Sequence, residues 1–213
     1  MTAIFFDLDG TLTDPKEGIT KSIQYALREL DREVLSGDDL EWCIGPPLKQ
    51  SFDQLLGNRS LSDDAIALYR RRFAAKGLYE NAVYPEIELL LTELREKNIP
   101  LYVATSKPEI YAIQIVEHFK LDKFFERIFG SELDGKRSNK AELLEYALSE
   151  TGCCPSKSLM IGDRKHDAMG AQHNGMISVG VTYGYGTASE LKTAGVQHLI
   201  DKPLDLLDLM ASL

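Results

Sequence analysis

The chain has 213 residues, 44% apolar and 27% charged, with 24 Lys and Arg against 33 Asp and Glu. It can build a packed core, and a formal charge of -9 leaves no basic face for phosphate-backbone contacts, so a nucleic-acid partner is not expected. No run approaches the ~20 apolar residues that cross a bilayer. The first residues turn acidic at Asp7, too soon for a signal peptide, and Cys43, Cys153 and Cys154 form neither a disulfide framework nor a zinc spacing. A cytoplasmic chain without a membrane partner is the expectation.

In chain order, the apolar run 3–6 predicts a first strand. Residues 15–83 hold no convincing strand and instead predict helices at 17–30, 38–43, 48–55 and 61–75. Ser62 followed by Asp63 and Asp64 reads there as an N-cap with acids in the first turn. From residue 84 onward helices alternate with strands. Helices are predicted at 86–97, 108–118, 140–151 and 167–174, and strands at 99–104, 127–129, 158–161, 177–181 and 198–200. Pro108 stands just inside one helix start and Gly152 just past one helix end. The strands are apolar without alternation, the pattern of parallel strands covered on both faces. Together these predict a doubly wound (Rossmann-like) parallel α/β core, residues 1–14 and 84–213, carrying an inserted α-helical module, residues 15–83.

Open α/β sheets bind ligands beyond the carboxyl ends of their strands. Three predicted strands deliver acids or hydroxyls to that edge: Asp7-Leu8-Asp9-Gly10-Thr11 after the first, Thr105-Ser106-Lys107 after the second, and Gly162-Asp163-Arg164-Lys165-His166-Asp167 after the fourth. Lys140 opens a helix that follows the third strand and can reach the same edge. Asp7 and Asp163 meeting there would repel unless a hard cation lay between them, and Mg²⁺ suits an oxygen-only set. The Asp7 carboxylate can attack phosphorus, while Asp9 can protonate the leaving alkoxide and then activate water. The Thr105 and Ser106 hydroxyls and the Lys140 amine can hold phosphoryl oxygens, and Gly10 lets the backbone approach the phosphate closely.

Asp7-Leu8-Asp9-Gly10-Thr11 resembles the D-x-D-G-T signature of the haloacid dehalogenase superfamily. Thr105, Lys140 and Gly162-Asp163-x-x-x-Asp167 follow in that family's order. The stretches 130–135, 139–142, 45–48 and 180–186 are similar to its phosphoglycolate-phosphatase-like branch. The resemblance implies that the inserted module is a helical cap closing over a small phosphorylated metabolite. It implies Asp7 as nucleophile and Asp9 as general acid and base. It further implies Mg²⁺ on the Asp7 carboxylate, the Asp9 carbonyl, Asp163 and Asp167, and a phosphoryl group held by Thr105 and Lys140. Lys136, four residues before Lys140, competes for that last role. In capped members the loop at Gly45-Pro46-Pro47 points into the site, which brings Gly45 and Lys49 into consideration as substrate contacts.

The expected activity is a Mg²⁺-dependent phosphomonoesterase acting on a phosphoglycolate-like ester or a nucleoside monophosphate through an aspartyl-phosphate. A sugar-phosphate mutase would use the same Asp7 and Asp9. A catalytically silent phospholigand-binding protein is the alternative from another class, and would bind without releasing phosphate. A dehalogenase needs no acid two residues past its nucleophile, so Asp9 speaks against it. Nothing in the sequence signals an oligomeric state.

Overall fold

The computed structural model describes residues 3–57 and 59–213. The chain forms two compact units, one of Met1–Asp14 with Val83–Leu213 and one of Pro15–Ala82.

The first unit is built on six strands: β1 (Ala3–Phe6), β2 (Leu101–Pro108), β3 (Arg127–Ser131), β4 (Ser158–Gly162), β5 (Ile177–Val181) and β6 (His198–Ile200). Their order in the sheet is β3-β2-β1-β4-β5-β6, and every recorded pairing is parallel. This is the doubly wound arrangement, and its order reverses between β1 and β4, where a ligand crevice is expected. Ala3 and Phe5, two apart on β1, face one side and pack with Phe129, Met160 and the helical residues Leu143, Leu144 and Ala171. Phe5 also stacks on Tyr102 at 4.8 Å between ring centroids. β1 and β4 are buried along their whole length, so both feed the crevice from a rigid base.

Three details of this unit differ from the pattern-based expectation. β2 runs on to Pro108 instead of stopping at residue 104, with a register shift against β3 between Ala104 and Pro108. Ser131 Oγ donates to the Ser106 carbonyl and the Gly130 amide donates to Glu109, which holds the polar continuation in place. Pro108 therefore lies at the N-cap of the helix Glu109–His118, not inside it. Two short helices, Ala188–Thr193 and Asp205–Ser212, follow β5 and β6 where none was foreseen. The helix Lys140–Thr151 matches its expected bounds, with Asn139 accepting from the Ala141 amide and Gly152 at φ 66° closing it.

The second unit is mainly helical, in a sequence of Lys16–Glu29, the 3₁₀ turn Asp38–Cys43, Leu48–Leu56, the 3₁₀ turn Arg59–Leu61 and Ser62–Arg72. The stretch 15–83 is not free of strand, contrary to the expectation from its pattern, because it ends in the two-residue strand Ala82–Val83, too short to show a period. The last helix widens into a π-helical turn, Phe73–Gly77. Its core is aromatic, with Tyr69 stacked on Phe73 at 5.2 Å and edge-on to Phe52 at 6.2 Å. Arg72 closes the unit with two bonds to Glu80, 2.7 and 2.9 Å, and these hold the Glu80 carboxyl below the ordinary carboxylate range. Ser62 is not the N-cap. The 3₁₀ turn before it already supplies helical backbone, and its hydroxyl donates to Asp53 instead.

Candidate active site

The first unit brings Asp7, Asp9, Thr105, Lys140, Asp163 and Asp167 to the carboxyl edge of β1, β2 and β4. Asp7 follows β1 directly, and its amide donates to the Ile161 carbonyl of β4 at 2.8 Å, so the sheet itself sets its height. Asp163 follows β4. Asp167 lies in the first turn of the helix Lys165–His173, where its Oδ2 accepts from the Arg164 amide at 3.0 Å. The ligand-type oxygens of Asp7, Asp163 and Asp167 lie within 4.8 Å of one another, and all three side chains are buried.

One ammonium serves two of these three carboxylates. Lys140 Nζ lies 3.0 Å from Asp7 Oδ1 and 2.8 Å from Asp167 Oδ1, and donates to the Ala104 carbonyl at 2.8 Å. Lys136, by contrast, points away and pairs with Glu132 at the surface. Burial works against the Lys140 cation, but Asp167 and Asp7 outweigh it and hold the group protonated above the ordinary lysine value. Asp163 has no such partner. Its Oδ2 accepts from the Tyr185 amide at 2.7 Å, while its buried Oδ1 has no hydrogen-bond partner among the described residues. Burial, then Asp167 and Asp7, push the Asp163 carboxyl well above its ordinary 3.8, and burial raises Asp167 to about 6. Three buried acids against one base is an incomplete set, and an orphaned carboxylate oxygen at its centre marks where a cation fits.

Asp9 occupies the loop after β1, with its Oδ2 paired to Lys107 Nζ at 2.8 Å, both side chains at most 10% exposed. Burial raises the Asp9 carboxyl, and Lys107 opposes that only in part. The Thr105 hydroxyl is buried and accepts from the Lys107 amide at 3.2 Å, which leaves its hydrogen to be donated outward. Ser106 is half-buried, its carbonyl held by Ser131. Gly10 sits at φ 84°, and a Cβ there would collide with the Asp163 carboxylate. Gly184 and Gly186 meet the same residue from the loop after β5, and Gly162 meets Asp167. In that loop the Tyr183 hydroxyl donates to the Thr11 carbonyl at 3.1 Å and the Tyr185 hydroxyl bonds Asp14. Gly45 and Lys49 belong to the helical unit, where Gly45 takes φ 98° and Lys49 Nζ pairs with Asp63 at 2.5 Å.

Lys107 is the site residue to which sequence reasoning gives no role, whereas the stretch 180–186 stands out there only for its resemblance. Lys107 carried one usable signal, its place two residues past Thr105 at a strand end that already offered hydroxyls.

The haloacid dehalogenase-like hydrolase family model matches residues 4–181. The chain belongs to that family. A 5'-nucleotidase of Pseudomonas aeruginosa is 47% identical over 196 residues, covering 92% of this chain and 89% of that protein. Tyrosine-protein kinase PtkA of Mycobacterium tuberculosis is 38% identical over 87% of this chain, which spans 63% of that protein's length. A phosphoglycolate phosphatase of Colwellia psychrerythraea is 25% identical over 96% of this chain and 94% of its own. The solved structure of a "predicted phosphatase" from Clostridium acetobutylicum superposes with a TM-score of 0.96, at 44% identity over 100% of this chain and 99% of that one.

Proposed function

We propose that this hydrolase is a divalent-cation-dependent phosphomonoesterase, with Mg²⁺ as the cation and Asp7 as the nucleophile. The observation that carries the reading is the buried set Asp7, Asp163, Asp167 and Lys140, in which the ammonium pairs with Asp7 and Asp167 and an Asp163 oxygen is left orphaned. Asp7, Asp163 and Asp167, with the Asp9 carbonyl, would hold the cation. When bound, it balances the gathered negative charge and draws the phosphoryl oxygens towards the nucleophile.

Lys140 pairs with the Asp7 carboxylate and aims it. The free hydrogen of the Thr105 hydroxyl, with Lys140, steadies the phosphoryl oxygens as charge shifts onto them, while Gly10 and Ser106 let the backbone close in. The Asp7 oxygen forms a bond to phosphorus as the ester oxygen leaves, and Asp9 hands that oxygen its proton. Asp9 then takes a proton from water, which attacks the aspartyl-phosphate and regenerates Asp7. Pro15–Ala82 serves in this reading as the cap, with Gly45 and Lys49 as its substrate contacts. The 47% relative named for nucleotides favours a nucleoside monophosphate over phosphoglycolate, whose named relative stands at 25%.

The test is phosphate release from a panel of nucleoside monophosphates, phosphoglycolate, sugar phosphates and p-nitrophenyl phosphate, with Mg²⁺ and with EDTA. Metal-dependent release, fastest on a nucleoside monophosphate, is the expected result. A folded, Mg²⁺-loaded protein that releases phosphate from none of them is not a phosphomonoesterase.

The cation reading has a second readout in stability. A raised carboxyl pKa means the folded state holds protons that the unfolded chain has lost, so Asp167 costs stability as pH rises from about 4 to about 6, and Asp163 does so from about 4 upward. A bound cation competes for the same oxygens. The gain in melting temperature on adding Mg²⁺ should therefore be small near pH 4.5 and grow as pH rises through 6. A gain that is flat with pH would remove Asp163 and Asp167 from the metal site.

A further inference from the structure

We infer that Lys107 is a positioning residue for Asp9, one that selects which of its two oxygens exchanges the proton; this rests on the phosphomonoesterase reading. A general acid works only if the proton-bearing oxygen lies within hydrogen-bond reach of the leaving group, and an unrestrained carboxyl can present either oxygen in several orientations. Here the choice is made by the fold. Lys107 Nζ lies 2.8 Å from Asp9 Oδ2 and occupies it, while Asp9 Oδ1 is buried without a hydrogen-bond partner among the described residues.

The ammonium that does this is itself tightly placed. Its side chain is 6% exposed, and the residue belongs to the last part of β2, beyond the register shift, where Ser131 and Glu109 pin the neighbouring backbone. The same residue's amide donates to Thr105 Oγ1, which turns that hydroxyl's hydrogen outward. One residue thus orients two groups, by its backbone and by its side chain.

The proton step that Lys107 would aim is balanced as follows. Asp9 Oδ1–H gives its proton to the ester oxygen as the P–O bond breaks and the Asp7–phosphorus bond forms, leaving Asp9 as carboxylate and the leaving group as alcohol. An alkoxide needs that proton, whereas p-nitrophenolate leaves without it. The consequence is a dependence on leaving group that a general loss of structure would not produce.

The experiment measures kcat/KM of wild type, Lys107→Met and Asp9→Asn on an alkyl phosphate and on p-nitrophenyl phosphate, with Mg²⁺. Lys107→Met should lose about 10²-fold on the alkyl ester and less than about threefold on the aryl ester. Asp9→Asn should show the same selectivity with a larger alkyl loss, roughly 10²- to 10⁴-fold. The ratio of the two kcat/KM values does not depend on the folded fraction, so partial misfolding cannot imitate the effect. Lys107→Gln, neutral but still a donor, replaces the methionine variant if that one does not fold. Equal loss on both esters, total loss included, or no loss on either, overturns the inference while the enzyme reading stands. A wild type inert on both esters overturns the enzyme reading and this inference with it.

Discussion

Asp7→Asn is expected to abolish phosphate release and leave a folded protein. The substitution preserves shape, and the backbone bond from residue 7 to the Ile161 carbonyl does not involve the side chain. It also removes one of the three clustered buried carboxylates, and one of the two that share Lys140, so the melting temperature in EDTA should be unchanged or higher. The amide cannot form the phosphorus bond, and loss of a nucleophile costs on the order of 10⁴- to 10⁶-fold. Acid-quenching during turnover adds an independent readout. Wild type should carry base-labile phosphate on the protein, and Asp7→Asn should carry none. Phosphate release within tenfold of wild type would take Asp7 out of the nucleophile role.

Lys140→Met should be nearly as damaging, for a different reason. The Lys140 stem packs close to Gly170, where a Cβ would stand 2.8 Å from its Cγ, and methionine fills that space well. What is lost is the charge. Asp7 and Asp167 are left buried with no counterion, and removing one partner of a buried pair costs about 3–5 kcal/mol. An Asp7 carboxylate that has lost the ammonium aiming it is a poorly placed nucleophile. The expected outcome is a lower melting temperature, partly restored by Mg²⁺, with phosphate release that Mg²⁺ does not restore. The control is Lys136→Met, whose lysine is exposed and pairs with Glu132 at the surface, and which should change neither quantity. Lys140→Met with activity within tenfold of wild type would mean that another group aims Asp7.

Much of this was legible in the chain because parallel strands advertise themselves. Ala3–Phe6 is an unbroken apolar run and Ile177–Val181 a mostly apolar one, and their bounds match the pattern. The acids that follow Ala3–Phe6 and Ser158–Gly162 could be placed at one edge from the pattern alone, since the fold class dictates where strand ends meet. What failed to show was local or long-range in ways that periodicity does not capture. Ala188–Thr193 has six residues, too few for a 3.6-residue period to declare itself, and Asp205–Ser212 has eight. The extension of β2 through Thr105, Ser106 and Lys107 is polar, so it read as a loop; pairing with β3 makes it strand. Lys107 could be placed at the strand end but not given a role, because its partner Asp9 is brought to it by the β1–β2 pairing, a long-range contact. The unpaired Asp163 oxygen was equally hidden, since burial and crowding are properties of the folded edge.

The glycines around the acids carry a consequence for how this enzyme can change. At Gly10, Gly162, Gly184 and Gly186 any added carbon would overlap Asp163 or Asp167. Every missense change at a glycine codon adds that carbon. A substitution at any of these four positions therefore has to move Asp163 or Asp167, so changes there reach the clustered carboxylates directly. New substrates must be won by residues that do not wedge against the carboxylates, which confines any directed-evolution library worth building to positions outside this glycine ring.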